Sequence, residues 1–207
     1  MANIILHKAD ERGHADHGWL NARHSFSFAG YRNPEKVHFG ALRVLNDDIV
    51  APGMGFGKHP HDNMEIITII LDGELEHKDS MGHAQKIVPG EVQVMSAGTG
   101  VQHSEANGDR HKPVNLLQSW IFPDKRDVTP RYEQKAFDPA ERINKFHTLV
   151  SPMDNDDEGL KIYQQAWIYR TTLEAGNTVQ LHLHSGQNGA YVFLIDGAIS
   201  AAGQPLG

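Results

Sequence analysis

The chain has 207 residues, of which 39% are hydrophobic and 22% charged, with 20 Gly and 10 Pro; these proportions suit one or two folded domains and exclude a disordered or fibrous chain. A formal net charge of −7 makes a nucleic-acid backbone a poor direct partner, and the longest nearly apolar run, Ile66 to Leu71, is too short to span a bilayer. The absence of Cys removes disulfides, iron–sulfur clusters and cysteine nucleophiles, and leaves 14 His and the carboxylates as the only ligands for a transition metal.

The opening residues, MANIILHKADERGHAD, lack the basic-then-apolar layout of an export signal, so the sequence reads as cytoplasmic. His14, His17 and His24 follow among Trp19, Phe26 and Phe28, a segment that reads as packing over a barrel edge. Short β-branched runs then alternate with turn residues. Phe39 to Leu45 predicts a strand that ends at Asn46-Asp47-Asp48, and Pro52-Gly53 marks another turn. Glu65 to Leu71 predicts a strand closed by Asp72-Gly73, followed by a charged hairpin in which His77 and His83 read as solvated. Ile87 to Val88, Val92 to Met95 and Leu116 to Phe122 predict further strands, separated by Pro89-Gly90 and Asn107-Gly108. Many short strands with frequent turn signals indicate an all-β sandwich or barrel.

Val128 to Leu149 is polar and contains Pro, which places a boundary near residues 133–145. The expected division is residues 1–135 as a metal-binding domain and 136–207 as a smaller, degenerate, metal-free one. Short helices are expected around Pro139 to Asn144 and Met153 to Leu160, and strands at Ile162 to Tyr169 and Tyr191 to Ile195. Residues 59–76 and 182–200 share an H-x-H, an apolar strand and a turn Gly, a faint internal repeat. The second copy lacks the continuation that carries the first to its H-S-E segment, so the second lobe is either naturally smaller or short of its last strands.

The strongest chemical constellation is His59-Pro60-His61 with Glu65, then His103-Ser104-Glu105. Side chains two apart on a strand share a face, so His59 and His61 point together, as do His103 and Glu105. Glu65 joins the first pair if the strand runs on regularly; Asp62-Asn63 is poor strand sequence and a candidate bulge. Two antiparallel strands of one barrel thus aim four or five N and O donors at one interior point, a suitable site for one divalent first-row metal such as Fe, Ni, Cu or Zn. His182 and His184 have no matching Glu and no later H-x-E. Asp154 to Glu158 lacks EF-hand spacing and reads as a solvated loop.

Gly53, His59-x-His61, Glu65 and Gly73, followed by Gly90, Gly98 and His103-x-Glu105, resemble the two cupin motifs. The departures from their usual spacing are those of the pirin-like branch, and the resemblance runs through ERGHADHGWLNARHSFSFAGY, LRVLNDD, GFGKHPHDNMEI, PGEVQVMSAGTGVQHSE and TPRYEQ. It implies an all-β bicupin of two jelly-roll-like lobes, with His59, His61, His103 and Glu105 as metal ligands and Glu65, the ligand in other cupins, as the fallback. Similarity to the quercetinase-like bacterial members implies a dioxygenase that opens a flavonol ring with O2, Glu105 doubling as the catalytic base. The alternatives are a metal-dependent interaction or redox-sensing protein with a regulatory protein partner, and an isomerase that uses the metal as a Lewis acid. Fold alone does not choose between them.

Overall fold

The computed structural model describes residues 4–207. Sixteen strands follow in chain order: β1 (Gly13–Asp16), β2 (Leu20–His24), β3 (Leu42–Val50), β4 (Gly55–His61), β5 (Glu65–Asp72), β6 (Leu75–Asp79), β7 (Ala84–Ile87), β8 (Glu91–Ser96), β9 (Val101–Asn107), β10 (Val114–Ile121), β11 (Arg131–Ala136), β12 (His147–Pro152), β13 (Leu160–Ile162), β14 (Ile168–Arg170), β15 (Ile199–Ala201) and β16 (Gln204–Leu206). The expected all-β class is what the chain adopts. The only helical pieces among the described residues are short 3-10 turns at Ala9–Glu11 and Pro139–Arg142, and none of their helices is long and apolar enough to cross a membrane.

The first lobe is two antiparallel sheets. Seven strands run in the order β1-β2-β3-β10-β5-β8-β11, and four in the order β4-β9-β6-β7. Period-two alternation divides the larger sheet into two faces. On β5, Ile66 and Ile70 join the clusters between the two sheets, whereas Ile67 and Ile69 join a cluster with Leu149, Val150, Leu160 and Ile162 of the later strands. The same parity holds on β8, with Met95 inside and Val92 and Val94 toward the later strands. On β10, Leu116 and Trp120 pack inside, while Leu117 and Ile121 face outward to the later strands. A sheet buried on both faces explains why β5 reads as the nearly unbroken apolar run IITIIL.

Four local expectations are overturned, one of them the strand at Ile162 to Tyr169, where residues 163–167 bend between β13 and β14. Asn46-Asp47-Asp48 is not a turn: β3 runs straight through it. Asn46 and Asp48 are buried, share the parity of inward Val50, and are retained because the interior there is polar; Asn46 Oδ1 lies 2.9 Å from His24 Nδ1. Tyr191 to Ile195 forms no strand; it pairs with no neighbouring strand to satisfy its backbone and is held by aromatic packing of Tyr191 on Phe26 and Phe39. The helix expected at Met153 to Leu160 is instead a turn over residues 153–159 before β13, since the Asp157 carboxylate accepts from Ser151 Oγ and the Gly159 amide and ties the loop to itself. The later strands form a three-stranded sheet, β13-β12-β14, and the β15–β16 hairpin, sparser than the first lobe.

Candidate metal centre

His103 and Glu105 lie on β9, where Val101, His103, Glu105 and Asn107 are buried and alternate with more exposed residues. Across from them, β4 carries an irregularity: Phe56 pairs with Glu105 and His59 with His103, leaving Gly57 and Lys58 opposite the single residue Ser104. That extra residue is a bulge, and it turns the His59 and His61 side chains inward with Phe56. The three imidazoles of His59, His61 and His103 meet with ligand atoms all within 4.8 Å of one another. Their ring centroids are 4.4–4.9 Å apart.

The chemistry of this trio fits a metal. His59 Nδ1 donates to the Gly57 carbonyl at 2.7 Å, which fixes the tautomer and leaves the Nε2 lone pair aimed inward. That Nε2 lies 2.9 Å from His103 Nε2. Burial, then the neighbouring imidazoles, pushes His103 down to about 3, and burial followed by His59 pushes His61 down to about 4. Both rings are therefore neutral at physiological pH, the form in which imidazole ligates a metal.

Glu105 is 4% exposed and forms a second trio with His77 and His103. Both of its oxygens accept from Gln118 Nε2, at 3.2 and 3.0 Å. Burial pushes its pKa upward, against the lowering effect of the Gln118 hydrogen bond and nearby imidazoles.

Glu65 is not brought to the histidines. The chain reverses at Asn63, whose φ of 44° interrupts the strand, and β5 belongs to the other sheet. Glu65 thus takes the parity of Ile67 and faces the later strands, where it accepts from Ser96 Oγ at 2.7 Å and, from its surroundings, feels the Tyr163 backbone and Arg131. Burial still dominates and pushes it up to about 7.

His77 does not sit in solvent as expected: it is fully buried. It lies opposite Glu105 in the β6–β9 ladder, with Asp79 Oδ2 3.1 Å from its Nε2 and Gln93 Nε2 3.1 Å from its Nδ1. His83 Nδ1 reaches the same Asp79 oxygen at 2.9 Å, and Tyr132 stacks on the His83 ring and packs at a tilt against that of His77. Burial raises the Asp79 pKa, but the bonds from His77 and His83 outweigh it and hold the carboxyl below its usual range. His24, expected at a barrel edge, is buried as well. His184 stacks on Trp167 at 3.6 Å and is bonded by Tyr169; neither it nor His182 joins a ligand cluster among the described residues.

Sequence reasoning missed Asp48, Gln93 and Gln118, all inward on strands. Asp48 is buried with one oxygen unpartnered and is pushed up to about 7 by burial, then by Asp47 and Glu105. Strand parity counted through the broken turn expectation would have found it. A cavity of about 710 Å3 adjoins the centre, walled by Phe28, Val44, Met64, Trp120 and Phe122, with Arg32 and Arg43 at its rim. The Trp120 ring lies 4.9 Å from His61 and 5.3 Å from Phe28.

The pirin profile matches residues 6–121, and the quercetinase C-terminal cupin domain matches residues 148–207. A quercetin 2,3-dioxygenase of Escherichia coli K12 is 43% identical over 200 residues, 97% of this chain and 84% of that protein. A pirin-like protein of Caulobacter vibrioides is 43% identical over 183 residues, 88% of this chain and 78% of its own. Among solved structures, Escherichia coli YhhW superposes with a TM-score of 0.75 at 49% identity, over 79% of this chain and 68% of that one. Bacterial pirin YhhW in complex with nickel(II), also from Escherichia coli, gives 0.74 at 48% identity, over 79% and 69%. With the two cupin motifs assembled on β4 and β9, this chain belongs to the pirin family and is a bicupin.

Proposed function

We propose that this chain is a cytoplasmic, metal-dependent dioxygenase of the quercetin 2,3-dioxygenase type, opening a flavonol ring with O2. The observation that carries the reading is the convergence of three imidazoles, His59, His61 and His103, beside a buried Glu105 and an aromatic-walled cavity. Two supports come from outside the chain: the name of the Escherichia coli relative and the nickel(II) complex of a family member.

In this reading one divalent transition metal is held by His59, His61, His103 and Glu105 within residues 1–135, and residues 136–207 hold none. When bound, such a metal supplies Lewis acidity to a coordinated substrate oxygen. The chain's own groups do the rest. Imidazole ligates a metal in its neutral form, so the negative charge at the site comes from Glu105 and the substrate. Glu105, its pKa raised by burial, accepts the proton of the flavonol 3-hydroxyl; a base drawn toward the working pH is the more effective acceptor. Phe28, Trp120 and Phe122 offer flat apolar surface to a planar ring system.

Aerobic turnover of a flavonol panel, with bound metal quantified beforehand, tests the reading. Flavonol loss should need both O2 and bound metal, and metal-loaded Glu105→Gln should lose turnover by more than about a hundredfold, the low end of what a positioned base supplies. Loss that persists after chelation overturns the enzyme reading and favours the interaction-protein alternative.

A further inference from the structure

Trp120 stands between the cavity, which it lines, and the histidine trio, its ring 4.9 Å from that of His61 and nearly perpendicular to it. Its Nε1 donates to Gln118 Oε1 at 3.1 Å. Gln118 in turn donates from Nε2 to both oxygens of Glu105 and, more weakly, to Thr68 Oγ1 at 3.5 Å. The three residues form one chain of hydrogen bonds from the cavity wall to the buried carboxylate.

The direction of this chain is fixed by chemistry. A side-chain amide has a donating and an accepting end and can be turned either way, whereas an indole N–H only donates. With Trp120 donating, Gln118 must present its oxygen to the indole and its NH2 to Glu105. Were the indole N–H removed, the Gln118 oxygen would lose its anchoring donor, and only the bonds of its NH2 to Glu105 and Thr68 would hold the amide in place. Gln118 donates to both oxygens of Glu105, with Thr68 as a further side-chain partner, so the amide's position bears on how that carboxylate is held. Period-two parity places all four participants together: Gln118 and Trp120 are two apart on β10, and Thr68 and Glu105 face them from β5 and β9.

We propose that Trp120 is a positioning residue that acts through Gln118 to orient Glu105 toward the metal, and that a planar aromatic ligand in the cavity rests on this same residue. The proposal rests on the reading of Glu105 as a ligand. Occupancy of the cavity and the geometry of the carboxylate are thereby linked through one side chain.

The test is a double-mutant cycle on nickel(II) affinity, with Trp120→Phe, Gln118→Met and the double variant, and with His103→Ala as the control for the centre itself. Trp120→Phe keeps a ring in the wall and deletes only the donor. Each single variant should bind nickel(II) about tenfold more weakly, the low end for partners that orient a ligand, and the double variant should be no weaker than Gln118→Met, because both act on one link. At saturating nickel(II), the ligand-field absorption of both single variants should shift alike, a signature that simple loss of packing does not produce. Affinities within about twofold of the parent, losses that multiply in the double variant, or unshifted spectra overturn the proposal while leaving the metal centre standing. Nickel(II) binding indifferent to His103→Ala overturns the centre and the proposal with it. If Trp120→Phe melts early, Gln118→Met alone decides by the same affinity and spectral criteria.

Discussion

His59 and His103 face each other directly across the β4–β9 ladder, Nε2 to Nε2 at 2.9 Å. In the absence of a shared cation one of these nitrogens must carry a proton for the other to accept. A cation that takes both lone pairs relieves this arrangement. The bulge at Gly57-Lys58 is what permits it, because in a regular strand His59, three residues on, would turn to the opposite face from Phe56.

Removing one of the three convergent donors should therefore cost metal severely. His61→Ala is expected to lower divalent metal affinity by more than about a hundredfold, beyond the range typical of partners outside the coordination shell. His182→Ala with His184→Ala should leave the metal content unchanged. Elemental analysis of the dialysed proteins checks both, and full metal in His61→Ala would contradict the assignment.

The two candidate carboxylates should separate cleanly. Glu105 shares its strand face with His103, whereas Glu65 is turned toward the later strands and bonded by Ser96. Isothermal titration with nickel(II) should show Glu105→Gln weakened by at least about tenfold and Glu65→Gln matching the parent. The reverse order would restore the ligand pattern of other cupins.

Glu65 instead predicts a pH dependence of stability. Its folded pKa, about 7, lies above the ordinary 4.5, so folding favours the protonated form. That contribution is fully present below the unfolded pKa and is lost as pH rises through the folded one. Between about pH 4.5 and 7 the parent should lose stability relative to Glu65→Gln, by on the order of 3 kcal/mol in total. Urea melts at a series of pH values check this, and parallel curves for the two proteins would show that Glu65 does not titrate there.

Gly55 tests the packing behind the centre. A Cβ added at this position would meet the Glu105 carbonyl and the Ala106 backbone, forcing β4 away from β9. Gly55→Ala should destabilise by about 1–3 kcal/mol, as overpacking does, and should also weaken metal binding, since the two strands carry all four proposed ligands. Thermal melting and elemental analysis on the same preparation check the pair of effects. By contrast Gly57→Ala, with nothing near an added Cβ, should be tolerated.

The sequence alone determined the all-β class, the central strands and the two H-x-H and H-x-E pairs, because a strand's period of two is local and a pair two apart shares a face wherever the strand lies. Even the break that separates Glu65 from His61 was foreshadowed by Asp62-Asn63. What only the tertiary structure decided is whatever depends on the neighbouring strand. Asn46-Asp47-Asp48 has the composition of a turn, yet lies within β3 because β2 and β10 flank it and the buried His24 offers Asn46 a partner. His77 sits in a charged sequence, yet is buried because β9 places it opposite Glu105 and β8 brings Gln93 to its ring. Tyr191 to Ile195 has strand composition but no strand beside it, and local propensity cannot supply the missing hydrogen-bond partners. The link from Trp120 through Gln118 to Glu105 was invisible for the same reason: its members come from two strands of different sheets, and only the packing of those sheets sets the hydrogen-bond distances.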